Sequence, residues 1–306
     1  MWGLSVPKVR RAFLILGLAE APVALELLHL DRSYLFFAFG LAWAAAFYGL
    51  VEPRPRAGPI GFLVYAATAF TAIPLLLLWL RYVPLDPHAP HTLAWQFVRS
   101  FGIGAREELC KAVTVVAAVL ACSRLSPRLD AREGIVYGAM SGLAFASVEN
   151  LESFHHLHRV EELTAAHGID PAAWTLAAAL VRLVLTPLVH ACWSAVVGFA
   201  LTAPGRSLRR RAVLAAGALA LVASIHGVFD ACAALGNREG VGALLALSFG
   251  IVLFLVGRAE RTFGPPDADA MLPAPLGPGR LALSLALGAA ILAVVGWSIA
   301  RVLGRA

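Results

Sequence analysis

Nine apolar runs, most of them as long as a bilayer is thick, dominate this chain and leave it little choice of fold. They lie at 11–30, 33–50, 59–82, 94–122, 132–153, 172–202, 212–232, 241–257 and 281–301. At about 1.5 Å of rise per residue, about 20 helical residues cross the hydrocarbon layer, so the runs read as transmembrane helices. The expected fold class is all-α, a polytopic transmembrane helical bundle of nine spans. The count falls to eight if the first segment, interrupted by Glu20, Pro22 and Glu26, lies in the interface. Runs 33–50 and 241–257 are marginal in length, whereas 94–122 and 172–202 are long enough to tilt or to include an interfacial turn.

Composition points the same way. The 306 residues are 59% hydrophobic and 14% charged, and a mean hydropathy of +0.77 excludes an ordinary soluble globular domain. Charges left inside the spans then carry the functional signal, because a charge in hydrocarbon costs about 3 kcal/mol or more. Cys110, Cys122, Cys192 and Cys232 form no CxxC and do not cluster in one loop, so they are expected as thiols or packing residues. The opening "MWGLSVPKVRRAFLILGLAEAPVAL" has a basic flank and an apolar run without a small-residue cleavage site, and reads as a first span rather than a removed signal peptide.

Arginine placement suggests orientation. With the N-terminus in the cytoplasm, Lys8, Arg10, Arg11, Arg54, Arg56, Arg124, Arg128, Arg132, Arg206, Arg209, Arg210, Arg211, Arg258, Arg261 and Arg280 share one side. The opposite loops hold Arg32, Arg81, Arg159 and Arg238, with Arg301 and Arg305 after the last run, so the positive-inside rule favours this topology. "RSLRRR" is then a retention signal, and no nucleic-acid partner is expected. No internal repeat is visible. The Pro- and Gly-punctuated 258–280 reads as a cytoplasmic linker between a membrane domain at 1–257, with its catalytic core at about 94–232, and a C-terminal helix with a short tail at 281–306.

Polar chemistry concentrates in four islands: "EELCK" at 107–111, "FASVEN" at 145–150, His190 in "TPLVHACW", and "HGVFD" at 226–230. Helical spacing lets Lys111 reach Glu107 at i,i+4 and Glu108 at i,i+3. One carboxylate is thereby compensated; the other suits a group that takes up and releases a proton. With alternating spans, Glu107 or Glu108, Glu149, His190 and His226 fall near one depth, and such convergence is what a reaction centre needs. Small residues in "GAMSGLAF" read as helix packing, without a catalytic role. Pro187 is expected to kink its span beside His190. Asp230 shares a helical face with His226 and could orient its ring. Ser147 and Ser194 read as packing hydroxyls rather than nucleophiles. "SFHHLHRVEEL", with His155, His156 and His158, reads as a solvated interfacial loop.

The order EExxK, FxxxEN, His, His resembles the PrsW family of multi-spanning intramembrane proteases, distant relatives of the CAAX prenyl-protein endopeptidases. The resemblance covers about residues 95–235. It places the motifs on Glu107, Glu108 and Lys111, then on Phe145, Glu149 and Asn150, then on His190, and last on His226 with Asp230. It implies peptide-bond hydrolysis in or beside a bacterial cytoplasmic membrane, with single-span membrane proteins such as anti-sigma factors as substrates. Hydrolysis needs an activated water, oxyanion stabilisation and a proton donor for the leaving amine. Glu108 or Glu107 would be the base, Lys111 its anchor, and His190 and His226 donors to the oxyanion. In a second scheme Glu149, His190 and His226 hold Zn2+ and Glu108 acts as base. The competing class is a proton-coupled transporter, for which Arg182 would serve as relay or carboxylate clamp, although inverted repeats are not visible. A non-catalytic membrane scaffold is a third reading.

Overall fold

The computed structural model describes residues 33–51, 57–82, 92–125, 130–166, 181–203 and 207–263. Among them are seven α-helices: α1 Ser33–Val51, α2 Ala57–Tyr82, α3 Leu93–Leu125, α4 Ala131–Ala166, α5 Thr186–Thr202, α6 Leu208–Ala234 and α7 Arg238–Phe263. A single π-helical turn, Val181–Leu185, leads into α5. No strand occurs among the described residues. The class is therefore an all-α, multi-pass helical bundle.

Local chemistry sets several helix ends. At the start of α4 the Glu133 carboxylate accepts the Asp130 backbone N–H at 3.1 Å and Asp130 Oδ1 accepts the Arg132 N–H at 2.9 Å, a reciprocal cap of otherwise unpaired amides. Arg132 also folds its guanidinium onto Asp130 Oδ2 at 2.6 Å and is buried, so this arginine is a buried ion-pair member rather than a free surface charge. Ser207 caps α6 by accepting the Arg210 N–H. Between α6 and α7 the chain turns at Gly236, whose φ of 68° is open to glycine without strain. Asn237 Oδ1 then caps α7 through the Gly240 N–H at 2.9 Å.

α4 is the central helix, lying most closely on α5 and also touching α1, α2 and α3. Its approach to α5 is backbone to backbone. A Cβ at Gly138 would lie 2.1 Å from the Ser194 carbonyl oxygen, one at Gly142 2.1 Å from that of His190, and one at Gly134 2.3 Å from that of Gly198. The four-residue spacing keeps these glycines on one face, as expected of close membrane-helix packing. A second close approach joins α3 to α6, where a Cβ at Gly227 would meet Phe101 Cα at 2.5 Å. These two seams bring Glu107, Glu108 and Lys111 on α3, and His226 on α6, next to His190 on α5.

Three described helices are long and apolar enough to cross a membrane: Arg182–Thr202, Leu208–Ala234 and Arg238–Thr262. Shorter apolar helices cover Phe39–Val51 and Ala57–Thr71. A nine- or eight-span count is thus not what the described residues establish. α3 and α4 fall short in apolarity because they bear the site's own charges, yet at 33 and 36 residues they are about 50 Å or more long. Helix α4 continues through "SFHHLHRVEEL" to Ala166, so that stretch is helix where a loop was expected. α7 ends at Phe263, six residues into the segment expected as a linker; the rest of 258–280, the run at 281–301 and the first run at 11–30 lie outside the described residues. All four cysteines are free thiols.

Candidate active site

Lys111 is the hub. Its ammonium is buried, donates to Glu108 Oε1 at 2.6 Å and to His190 Nδ1 at 2.7 Å, and lies 3.9 Å from Glu107 Oε2. The Phe145 ring centroid is 4.4 Å from Nζ, so the aromatic of the FxxxEN string covers the cation with its π face. An ammonium has no lone pair, so His190 Nδ1 must be the acceptor and a neutral His190 carries its proton on Nε2. That Nε2 is 3.0 Å from Glu149 Oε2, though poorly aligned for a hydrogen bond.

His226 is set the opposite way. Its Nδ1 lies 3.0 Å from Glu108 Oε1, and a carboxylate can only accept, so the Nδ1–H is donated and the Nε2 lone pair is left free. Nε2 faces Glu107 Oε2 at 3.6 Å and Asp230 Oδ2 at 3.5 Å. Glu108 therefore does the orienting expected of Asp230, and Asp230 stands on the other ring nitrogen. Three acceptor atoms converge there, and Glu107 Oε2 is buried without a hydrogen-bond partner. Such a spot calls for a proton or a metal ion.

All six expected site residues, Glu107, Glu108, Lys111, Glu149, His190 and His226, join this one network, with Phe145, Asn150 and Asp230 at its edge. Beside the expected ligand trio Glu149, His190 and His226 stands a second one. The donor atoms that lie within 4.8 Å of one another belong to Glu107, His190 and His226. Glu149 keeps Oε2 3.0 Å from His190 Nε2 while Arg182 Nη1 binds its Oε1 at 2.7 Å. Side-chain exposures of 35% for Arg182, 26% for Glu149 and 33% for Asp230, against 1% for Lys111 and Glu108, place the mouth of the site at the first three.

Sequence reasoning missed two supports. Trp193 is buried between the histidines, its ring centroid 4.4 Å from His226 and 5.5 Å from His190, with Nε1–H donated to Ser248 Oγ at 2.9 Å. Its position three residues after His190, on the same helical face, was the available signal. Beneath Lys111, Ser141 and Thr114 hydroxyls donate to the Lys111 carbonyl at 2.9 and 3.0 Å, and Thr68 bonds to both hydroxyls. Isolated Ser and Thr in apolar runs give no hint of such a cluster. Ser147 bonds to Tyr65 and to the Leu143 carbonyl, in keeping with a packing role.

A multi-pass helical bundle whose centre holds a Glu–Lys–His network with a buried Glu/His/His cluster has the groups that a membrane-embedded hydrolase needs. The family model described as PrsW family intramembrane metalloprotease matches residues 58–257, and the chain belongs to that family. Comparison with curated proteins and with solved structures returned no match.

The residues fit the metal that the family description implies. Two imidazoles and a carboxylate from three helices are the donor type of a catalytic zinc site. His226 is the better prepared, since Glu108 on Nδ1–H aims Nε2 in the manner of a carboxylate–histidine–metal triad. His190 has Lys111 on Nδ1, so a cation at Nε2 would take the place of the proton now there.

Proposed function

We propose that this protein is an endopeptidase of the bacterial cytoplasmic membrane that cleaves membrane-anchored single-span proteins, anti-sigma factors among them, within or beside the bilayer. The N-terminus is cytoplasmic in this reading, as the arginine distribution requires. The observation that carries it is the buried Glu107 Oε2, without a hydrogen-bond partner and 3.6 Å from His226 Nε2, in a network where one oxygen each of Glu108 and Glu149 is likewise unpartnered.

Glu107 is the group that takes a proton from the attacking water, because its unpartnered Oε2 is the one that faces the His226 Nε2 lone pair. Glu108 is pinned by Lys111 and His226, so within the Glu pair it orients while Glu107 accepts. His190 Nε2–H, only loosely held by Glu149, is the donor for the oxyanion that forms on the scissile carbonyl. Glu107 returns its proton to the leaving amine. A zinc ion held by Glu107, His190 and His226 would supply Lewis-acid polarisation at the same spot; Glu107 and His190 would then act as ligands, and Glu108, whose Oε2 is unpartnered, would be the base.

Purified protein in liposomes with a co-reconstituted single-span substrate tests the proposal. Cleavage in or next to the span, lost with Glu107→Gln, is the expected result. Substrate left intact while protons cross the same vesicles would instead establish the transporter reading.

A further inference from the structure

Asn150 and Arg182 have no assigned part in the reaction, yet α4 holds Arg182 at two points, through Asn150 and through Glu149. Arg182 sits in the π turn Val181–Leu185, four residues before the start of α5, and Pro187 is the second residue of that helix. Proline has no backbone N–H. The carbonyl of Arg182, five residues earlier, therefore finds no π-type donor at 187, while widening of the turn removes it from its usual i+4 donor. Asn150 fills this gap: its Nδ2 donates to the Arg182 carbonyl at 2.6 Å. The neighbouring Glu149 binds the guanidinium of the same residue at 2.7 Å. Adjacent residues of α4 thus hold one arginine by its backbone and by its side chain.

The consequence reaches the reaction centre. Glu149 is shared between Arg182 on Oε1 and His190 Nε2, 3.0 Å from Oε2, so where Arg182 stands sets how Glu149 faces the histidine. The orientation of the Asn150 amide is fixed too, since its oxygen placed against a carbonyl would be repelled. That oxygen is buried without a partner, which marks the amide as being retained for its donor end.

We propose that Asn150 and Arg182 are positioning residues for Glu149 and His190, assembled around the hydrogen-bond gap that Pro187 leaves at the head of α5. The proposal rests on the proteolytic reading for its kinetic readout. Asn150→Ala lowers kcat about tenfold to a hundredfold with KM nearly constant, as expected of a misplaced catalytic group. Pro187→Ala restores a backbone N–H at the gap, so the double variant Asn150→Ala/Pro187→Ala recovers most of the lost kcat. Arg182→Lys retains more activity than Arg182→Met, again through kcat.

The test measures kcat and KM for these variants together with amide hydrogen exchange over 181–187. Exchange rises in Asn150→Ala and falls back in the double variant. If Asn150→Ala does not fold, recovery of folded protein in the double variant reads the same coupling. A double variant no better than Asn150→Ala, in rate and in exchange, overturns the gap-filling role. A rise in KM with unchanged kcat in Arg182→Met overturns positioning in favour of direct substrate binding. Coupled exchange in a chain that cleaves no substrate would retain the Asn150–Pro187 coupling and reject the proteolytic reading instead.

Discussion

His226 Nδ1 stands 3.0 Å from Glu108 Oε1 across 118 residues of chain, and this contact fixes which nitrogen of His226 is left to act. Glu108 Oε1 also takes Lys111 at 2.6 Å, and at the other ring nitrogen Glu107 Oε2 lies 3.6 Å from Nε2 without a hydrogen-bond partner. In the proposed mechanism the two carboxylates of EExxK are divided between orienting and reacting. Their order in sequence cannot show that division.

Glu107→Gln removes the proton-accepting oxygen while keeping shape, and is expected to cut cleavage of a membrane-anchored substrate about 100-fold or more without loss of folded protein. Glu108→Gln should also impair cleavage, but through His226. Quantitative cleavage assays beside thermal unfolding in detergent check this. Near-normal cleavage by Glu107→Gln would remove it as the base.

Lys111→Met leaves the buried Glu108 carboxylate without its cation, and such a loss costs about 3–5 kcal/mol. The double variant Lys111→Met/Glu108→Gln no longer strands the Glu108 charge, leaving only Glu107 near the lost ammonium, and is expected to regain part of the stability while staying inactive. Unfolding midpoints of the two variants decide it. Equal midpoints would mean that the pair is not coupled.

Zinc content separates the two possible carboxylate ligands. Protein purified without a histidine tag should bind about one zinc per chain, lost in Glu107→Ala and His226→Ala but retained in Glu149→Gln, because Glu107 and not Glu149 shares the 4.8 Å cluster with the histidines. Metal analysis with chelator-sensitivity of cleavage is the measurement. Loss of metal in Glu149→Gln with retention in Glu107→Ala would reverse the assignment.

Gly142→Ala puts a Cβ 2.1 Å from the His190 carbonyl oxygen and must push α4 from α5. It should destabilise by about 1–3 kcal/mol and lower activity by displacing His190. Gly217→Ala on α6, with open space around the new Cβ, serves as the neutral comparison. Similar melting and cleavage for both would dismiss the backbone contact as a constraint.

Much of this protein was decided along the sequence. Apolar runs determine an all-α membrane bundle because hydrocarbon tolerates few unpaired backbone groups, and six charged or imidazole side chains inside those runs announce the site because each is costly there. The i,i+3 and i,i+4 spacings of Glu107, Glu108 and Lys111 foretell their pairing, since helix geometry is local. Partner choice between helices is not local. Glu107 shares a 4.8 Å cluster with the two histidines while Arg182, in a π turn before Pro187 and bonded to Asn150, holds Glu149 Oε1, and neither meeting can be read from local spacing. Which carboxylate holds His226 depends on how closely Gly227 lets α6 approach α3. Helical periodicity fixes the face on which a side chain lies, but only packing fixes what stands within 3 Å of it, and in this site that distance sets each tautomer and each role.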